Sequence, residues 1–279
     1  MALTLMYITN DPVVAAIAEE SGVDRIWIDL ETLGKEERQK GLDTVKSCHS
    51  IADIARIAPK LTKAEMLVRV NPINENSENE INSVIAAGAD IIMLPMWKTP
   101  EEVKRFIELV NGRVKTTLLL ETKEAVECVD EVLAAGGFDE IHIGLNDLHL
   151  SYGLTFMFEL LVNGVVEELC SKFRQYNIPF GFGGVAKLGK GLVSSEMIIK
   201  EHFRLGSTRA ILSRSFYDSK LICDEVETRK FFSENMRELR DYEKVVARCS
   251  TKELLENEAE VKKRVEAIVK KIKGGVDKA

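Results

Sequence analysis

Apolar residues in this chain fall in short unbroken runs rather than in alternation with polar ones. Eight such runs recur: LTLMYI (3–8), RIWIDL (25–30), MLVRV (66–70), IIMLP (91–95), TTLLLE (116–121), EIHIG (140–144), PFGFG (179–183) and RAILS (209–213). Strands buried on both faces have this pattern, because helices cover a parallel sheet from either side. Helical stretches lie between the runs, and three of them close in AEESGVD, IAAGAD and LAAGGFD, with glycine where a helix must stop before the next strand. Eight βα units predict an α/β protein, a closed (β/α)8 TIM barrel with extra C-terminal helices. No GxGxxG follows the first run, so an open dinucleotide-binding sheet is disfavoured.

The periodicity changes after the eighth run. The pattern divides the chain into a barrel over 1–222 and a helical extension over 223–279. Leu255, Val261, Val265, Ile268, Val269 and Ile272 recur there at helical spacing amid charges. That stripe has two possible docking partners, its own barrel or a neighbouring subunit of a homo-oligomer.

Composition narrows the partners. A chain of 279 residues with 45% apolar and 30% charged residues and a net charge of −7 suits one large domain without a domain-wide basic field, which argues against nucleic acid and anionic membranes. The opening MALTLMYITNDPVV carries no basic leader, and Thr9, Asn10 and Asp11 break its apolar run far short of a membrane span. Cys48, Cys128, Cys170, Cys223 and Cys249 are widely spaced with no CxxC, unlike a disulfide framework or a zinc knuckle. A soluble protein of the reducing cytoplasm is the expectation.

Chemistry in such a barrel collects where the strands end. The second run ends at Asp29 and Glu31, the third at Arg69 and Asn71, the fifth at Glu121, and the sixth is followed by Asp147. Glu121 and Asp147, on neighbouring strands, suit a pair of hard oxygen ligands for magnesium, which keeps its remaining positions for water and a chelating substrate. The same acids also suit the N-termini of the helices that follow, so both readings stand. Arg69, inside an apolar strand, requires an anionic partner: a substrate carboxylate, or Asp29 or Glu31.

Taken together, GVDRIWIDLE, VRVNPIN, AAGADIIMLPMWKTPEEV, LLLETKEAVE and FDEIHIGLNDLHLSYGL, in this order, resemble the HpcH/HpaI aldolase and citrate lyase β-subunit superfamily over about residues 5–216. The resemblance implies a divalent-metal-dependent carbon–carbon lyase that forms or cleaves a 2-oxo acid such as pyruvate or oxaloacetate through a metal-stabilised enolate. It makes Glu121 and Asp147 the ligands of Mg2+, Mn2+ or another divalent cation, and Arg69 the holder of the substrate's carboxylate or carbonyl oxygen. Asn71, Gly144, Leu145 and Asn146 would line the substrate, and a trimeric or hexameric homo-oligomer follows by analogy. The alternatives are an acyl-CoA lyase of the malyl or citramalyl type acting on a thioester, and a homologue that binds metal and oxo acid without turnover.

One departure bears on proton transfer. Many aldolases of the HpaI branch have histidine directly after the strand-two DxE, whereas this chain has Thr32, which cannot replace an imidazole near neutral pH. Glu31 and His49 are then the candidate acid/base side chains beside Arg69, His49 having a helix-capping or surface role as its other reading. His149 is expected to orient the loop after Asp147, and His142 to be a satisfied core residue. Lys187, Lys190, Ser213 and Arg214, after the seventh and eighth runs, are further candidates for the mouth.

Overall fold

Each of the eight apolar runs becomes a strand, and the strands pair in order until the last closes on the first. The computed structural model describes residues 2–34, 49–213, 216–217 and 224–276. The strands are β1 (Thr4–Ile8), β2 (Arg25–Asp29), β3 (Glu65–Arg69), β4 (Ile91–Leu94), β5 (Lys115–Leu120), β6 (Glu140–Ile143), β7 (Phe180–Val185) and β8 (Arg209–Leu212), all parallel. The sequence pattern ends β7 at residue 183. Pairing with β8 instead runs on to Val185 through a register irregularity between Gly181 and Gly184, because glycines that read as a loop here continue the ladder.

Side chains alternate along a strand, so positions two apart share the lumen. The inward sets are Arg25, Trp27 and Asp29 on β2; Glu65, Leu67 and Arg69 on β3; Thr117, Leu119 and Glu121 from β5; and Glu140, His142 and Gly144 from β6. The lumen is therefore stacked in three levels. Its waist is an apolar cluster of Met6, Trp27, Leu67, Ile91, Met93 and Leu119, separate from the larger core between sheet and helices. Burying each such side chain contributes on the order of 2 kcal/mol. Its floor is ionic: Arg25 joins Glu65 and Glu140, and Glu140 also holds Arg209 and the Thr117 hydroxyl. The charged positions that remain lie at the opposite end, the mouth.

Local chemistry sets where the outer helices begin and stop. Asp11 accepts the amides of Val13 and Val14 at the start of the helix Pro12–Glu20, and Gly22, at φ +95°, takes the chain out of it toward β2. Thr99 and Glu102 form a capping box on Pro100–Val110.

The extension forms two helices, Glu225–Val246 and Thr251–Val276. The first buries Phe232, Met236 and Leu239, while Arg240 reaches the carbonyls of Leu3 and Gly22 and Glu243 accepts the Leu3 amide, which ties this helix to the start of β1. The second packs on Ser195–Leu205 and Glu159–Val162 of the same chain. Val261 and Val265 are buried there and Ile268 and Val269 pack beside them, whereas Leu255 and Ile272, the two ends of the expected stripe, remain exposed. The expected boundary at 222/223 lies outside the described residues. Among those residues no helix is long and apolar enough to cross a membrane.

Candidate active site

Asp29 and Arg69 are register partners at the ends of β2 and β3. The guanidinium meets Asp29 at two points, Nε to Oδ1 and Nη2 to Oδ2, both 2.8 Å, and its Nη1 lies 3.2 Å from Glu31 Oε2. It also stands over the Trp27 ring, 5.5 Å from the centroid, where the aromatic face favours a cation. Burial works against the charge on Arg69, but the carboxylates of Asp29 and then Glu31 outweigh it and hold the guanidinium pKa above its ordinary value. Both readings of Arg69 from sequence therefore bear on one side chain: its structural partners are Asp29 and Glu31, and it sits at the mouth.

Glu121 follows directly on β5 and is buried, with Oε1 accepting the Met96 amide at 3.1 Å. Asp147 lies in the first turn of the helix Leu145–Ser151, which Leu145 and Leu148 anchor in the core, leaving Asp147 half-buried. Burial foremost, and then repulsion from Asp147, drive the Glu121 carboxyl well above the usual range; Arg69 pulls it down and Glu31 adds to the rise. Among the described residues the cluster gathers four carboxylates, Asp29, Glu31, Glu121 and Asp147, about the one guanidinium of Arg69. Such a surplus of negative charge is matched by protons or by a bound cation. No group of three or more His, Cys, Asp or Glu side chains arranged to hold a metal occurs among the described residues. A pair of carboxylates fits a cation that keeps most of its waters, as Mg2+ does, better than one that needs a full protein cage.

The remaining sequence candidates have distinct places. Asn71 faces the rim: its Oδ1 accepts the amides of Thr32 and Leu33, at 2.9 and 3.0 Å, and its Nδ2 donates to Glu80. Thr32 is turned to Asn71 by these bonds and is exposed. His49 stands against the end of β2, its Nδ1 accepting the Asp29 amide at 3.0 Å. That bond continues the β2 edge beyond the point where β1 ends, and it puts the proton of the neutral ring on Nε2. Gly144 borders Glu121, Leu145 is buried against Gly183, and Asn146 is exposed.

Outside this group, His149 holds the Leu145 carbonyl and His142 holds that of Gly183. Lys187 stands over the Phe231 ring, and Ser213 extends the β7–β8 pairing through its amide. Arg214 lies outside the described residues. Sequence reasoning missed the Met96 amide as a partner of Glu121. Its one trace in the sequence is the break after IIMLP, since nothing there marks a methionine that adopts φ +53°.

Fold and site define a (β/α)8 barrel whose mouth is acidic and centred on one arginine. The chain belongs to the HpcH/HpaI aldolase/citrate lyase family, whose family model matches residues 3–158, a span that runs from β1 past Asp147. Membership supports a lyase of that family. Among solved structures the chain is similar to an HpcH/HpaI aldolase/citrate lyase family protein from Burkholderia cenocepacia J2315, at 17% identity and TM-score 0.61 over 84% of this chain and 94% of that one. It is similar also to the HpcH/HpaI aldolase from Desulfitobacterium hafniense DCB-2, at 16% and 0.60 over 76% and 86%. The citrate synthase SbnG matches at 17% and 0.60 over 82% and 94%. At these identities the likeness establishes the fold. No curated protein matches the sequence.

Proposed function

We propose that the protein is a divalent-cation-dependent carbon–carbon lyase that makes or breaks a small 2-oxo acid. The observation that carries this reading is the pairing of Glu121 and Asp147 at neighbouring strand ends, in a mouth where carboxylates outnumber the guanidinium. A magnesium or manganese ion held by these two carboxylates would supply Lewis-acid polarisation of the substrate carbonyl and offset the negative charge that develops as the carbon–carbon bond breaks.

The chain's own side chains do the rest. Arg69, held at two points by Asp29, orients the substrate's carboxylate or carbonyl oxygen from a fork whose direction is already fixed, so little ordering entropy is lost on binding. The apolar waist beneath it, Trp27 and Leu119 above all, keeps water from reaching the substrate from below. Asn71 steadies the rim through Thr32 and Leu33, and the segment from Gly144 to Asn146 borders the substrate on the side of Asp147. Glu31 and His49 are the side chains proposed for proton transfer. His49 exchanges a proton through Nε2 for as long as Nδ1 accepts from Asp29.

The test is exchange of pyruvate methyl protons with deuterium, followed by NMR with magnesium or manganese, on the wild type and on Asp147→Asn. Exchange that needs both the cation and Asp147 is the expected result. Exchange that continues at the wild-type rate in Asp147→Asn or without a divalent cation would overturn the proposal.

A further inference from the structure

Glu121 is held by a backbone amide from a neighbouring strand's loop, and two unusual residues border it. Met96, in the loop after β4, adopts φ +53°, a left-handed conformation uncommon for a residue with a side chain, and its amide donates to Glu121 Oε1 at 3.1 Å. The loop is fixed from behind as well, because the Thr122 hydroxyl donates to the Trp97 carbonyl at 2.8 Å. On the other side stands Gly144, at φ −81° and ψ 84°. Any residue can adopt that φ, so glycine is not required there by the backbone. It is required by space: a Cβ at 144 would lie 2.8 Å from Glu121 Oε2 and 2.9 Å from Glu121 Cβ. Real side-chain carbons do not approach so closely.

We infer that the Met96 amide and the notch at Gly144 together form a positioning device for Glu121. The amide takes Oε1, and the missing side chain at 144 leaves the room into which Oε2 fits, beside the segment that carries Asp147. Glu121 thus offers a single oxygen in a fixed direction, and the other oxygen is committed to the protein. Gly144 and Met96 are positioning residues, acting on a cation only through Glu121. The inference rests on the reading of Glu121 as a cation ligand, and its test separates the two.

The experiment measures Mn2+ affinity of the purified full chain by titration calorimetry, for the wild type, Glu121→Gln, Gly144→Ala and Leu150→Ala. Leu150 is exposed on the same short helix and serves as the control. The expected result is weaker binding by at least tenfold in Gly144→Ala, comparable loss in Glu121→Gln, and no change beyond twofold in Leu150→Ala. Wild-type affinity in Gly144→Ala together with loss in Glu121→Gln overturns the positioning device and leaves the ligand reading standing. Wild-type affinity in Glu121→Gln overturns both.

Should Gly144→Ala fail to fold, hydrogen exchange at the Met96 amide decides. That amide is expected to be protected in the wild type with and without Mg2+, and to lose protection in Glu121→Ala. Equal exchange in the two proteins, or loss of protection when Mg2+ is added, means that Oε1 is not committed to Met96 and overturns the inference.

Discussion

Arg25 on β2 and Glu140 on β6 come from opposite sides of the barrel and meet across its lumen in a two-point ion pair that closes the N-terminal end. Glu140 also accepts from Arg209 and from the Thr117 hydroxyl at 2.8 Å, so one carboxylate ties together four strands. Buried charges of this kind contribute little net stability against an apolar filling, but removing one partner strands the others. Glu140→Gln would leave Arg25 and Arg209 facing a neutral amide. The expected cost is about 3–5 kcal/mol in urea unfolding, and a loss below 1 kcal/mol would mean that the floor is solvated.

Two buried histidines predict how stability depends on pH. Burial drives the His142 imidazole from 6.5 down to about 4. Burial, helped by His142, takes His202, stacked on Phe182, down to about 3. Below pH 6.5 the unfolded chain takes up protons that the folded chain refuses. The contribution of these two histidines to stability is therefore complete above about 6.5 and falls as pH drops toward 4, by about 1.4 kcal/mol per pH unit for each histidine. Urea midpoints of the wild type and His142→Gln measured between pH 7.5 and 4.5 check this. The variant should lose less stability than the wild type as pH falls, and equal slopes in the two proteins would count against it.

The mouth holds like charges together at a cost in stability. Glu121→Gln removes one of them and leaves the amide of Met96 with an acceptor. In the absence of divalent cations the variant should unfold at higher urea than the wild type, by about 1 kcal/mol, while losing cation-dependent exchange of pyruvate protons. A variant both inactive and less stable would point to a structural role for Glu121 in place of a catalytic one.

The helix Thr251–Val276 gives a contrast within one element. Val265 is buried against the same chain, and Leu255 is 52% exposed. Val265→Asp places an unpaired charge in the core and should cost about 3 kcal/mol or more, whereas Leu255→Asp should stay within about 0.5 kcal/mol. Thermal unfolding of the two variants reads this directly. The reverse order would mean that the exposed stripe, not the buried one, carries the contact that matters.

The strands, their order and the class of fold were legible in the amino-acid sequence, because burial on both faces leaves a signal that is local and continuous: an apolar run closed by a glycine-ended helix. The places of Glu121, Asp147 and Arg69 at the barrel mouth were legible for the same reason, since a charge at or just past the end of a buried run stands out against its neighbours. What the tertiary structure alone decided are relations between residues far apart in the chain. That Arg69 is gripped by Asp29 and Glu31 depends on register between β2 and β3, and register is a property of two strands at once. The turning of Asn71 to Thr32, the joining of His49 to the Asp29 amide and the docking of Val261 and Val265 on their own barrel are decided in the same way. The Met96 amide and the Gly144 notch left no readable mark, because a backbone donor has no residue type and a missing Cβ matters only where another strand brings a side chain against it. Sequence patterning determines which faces are buried; closure of the barrel determines which polar groups then find one another.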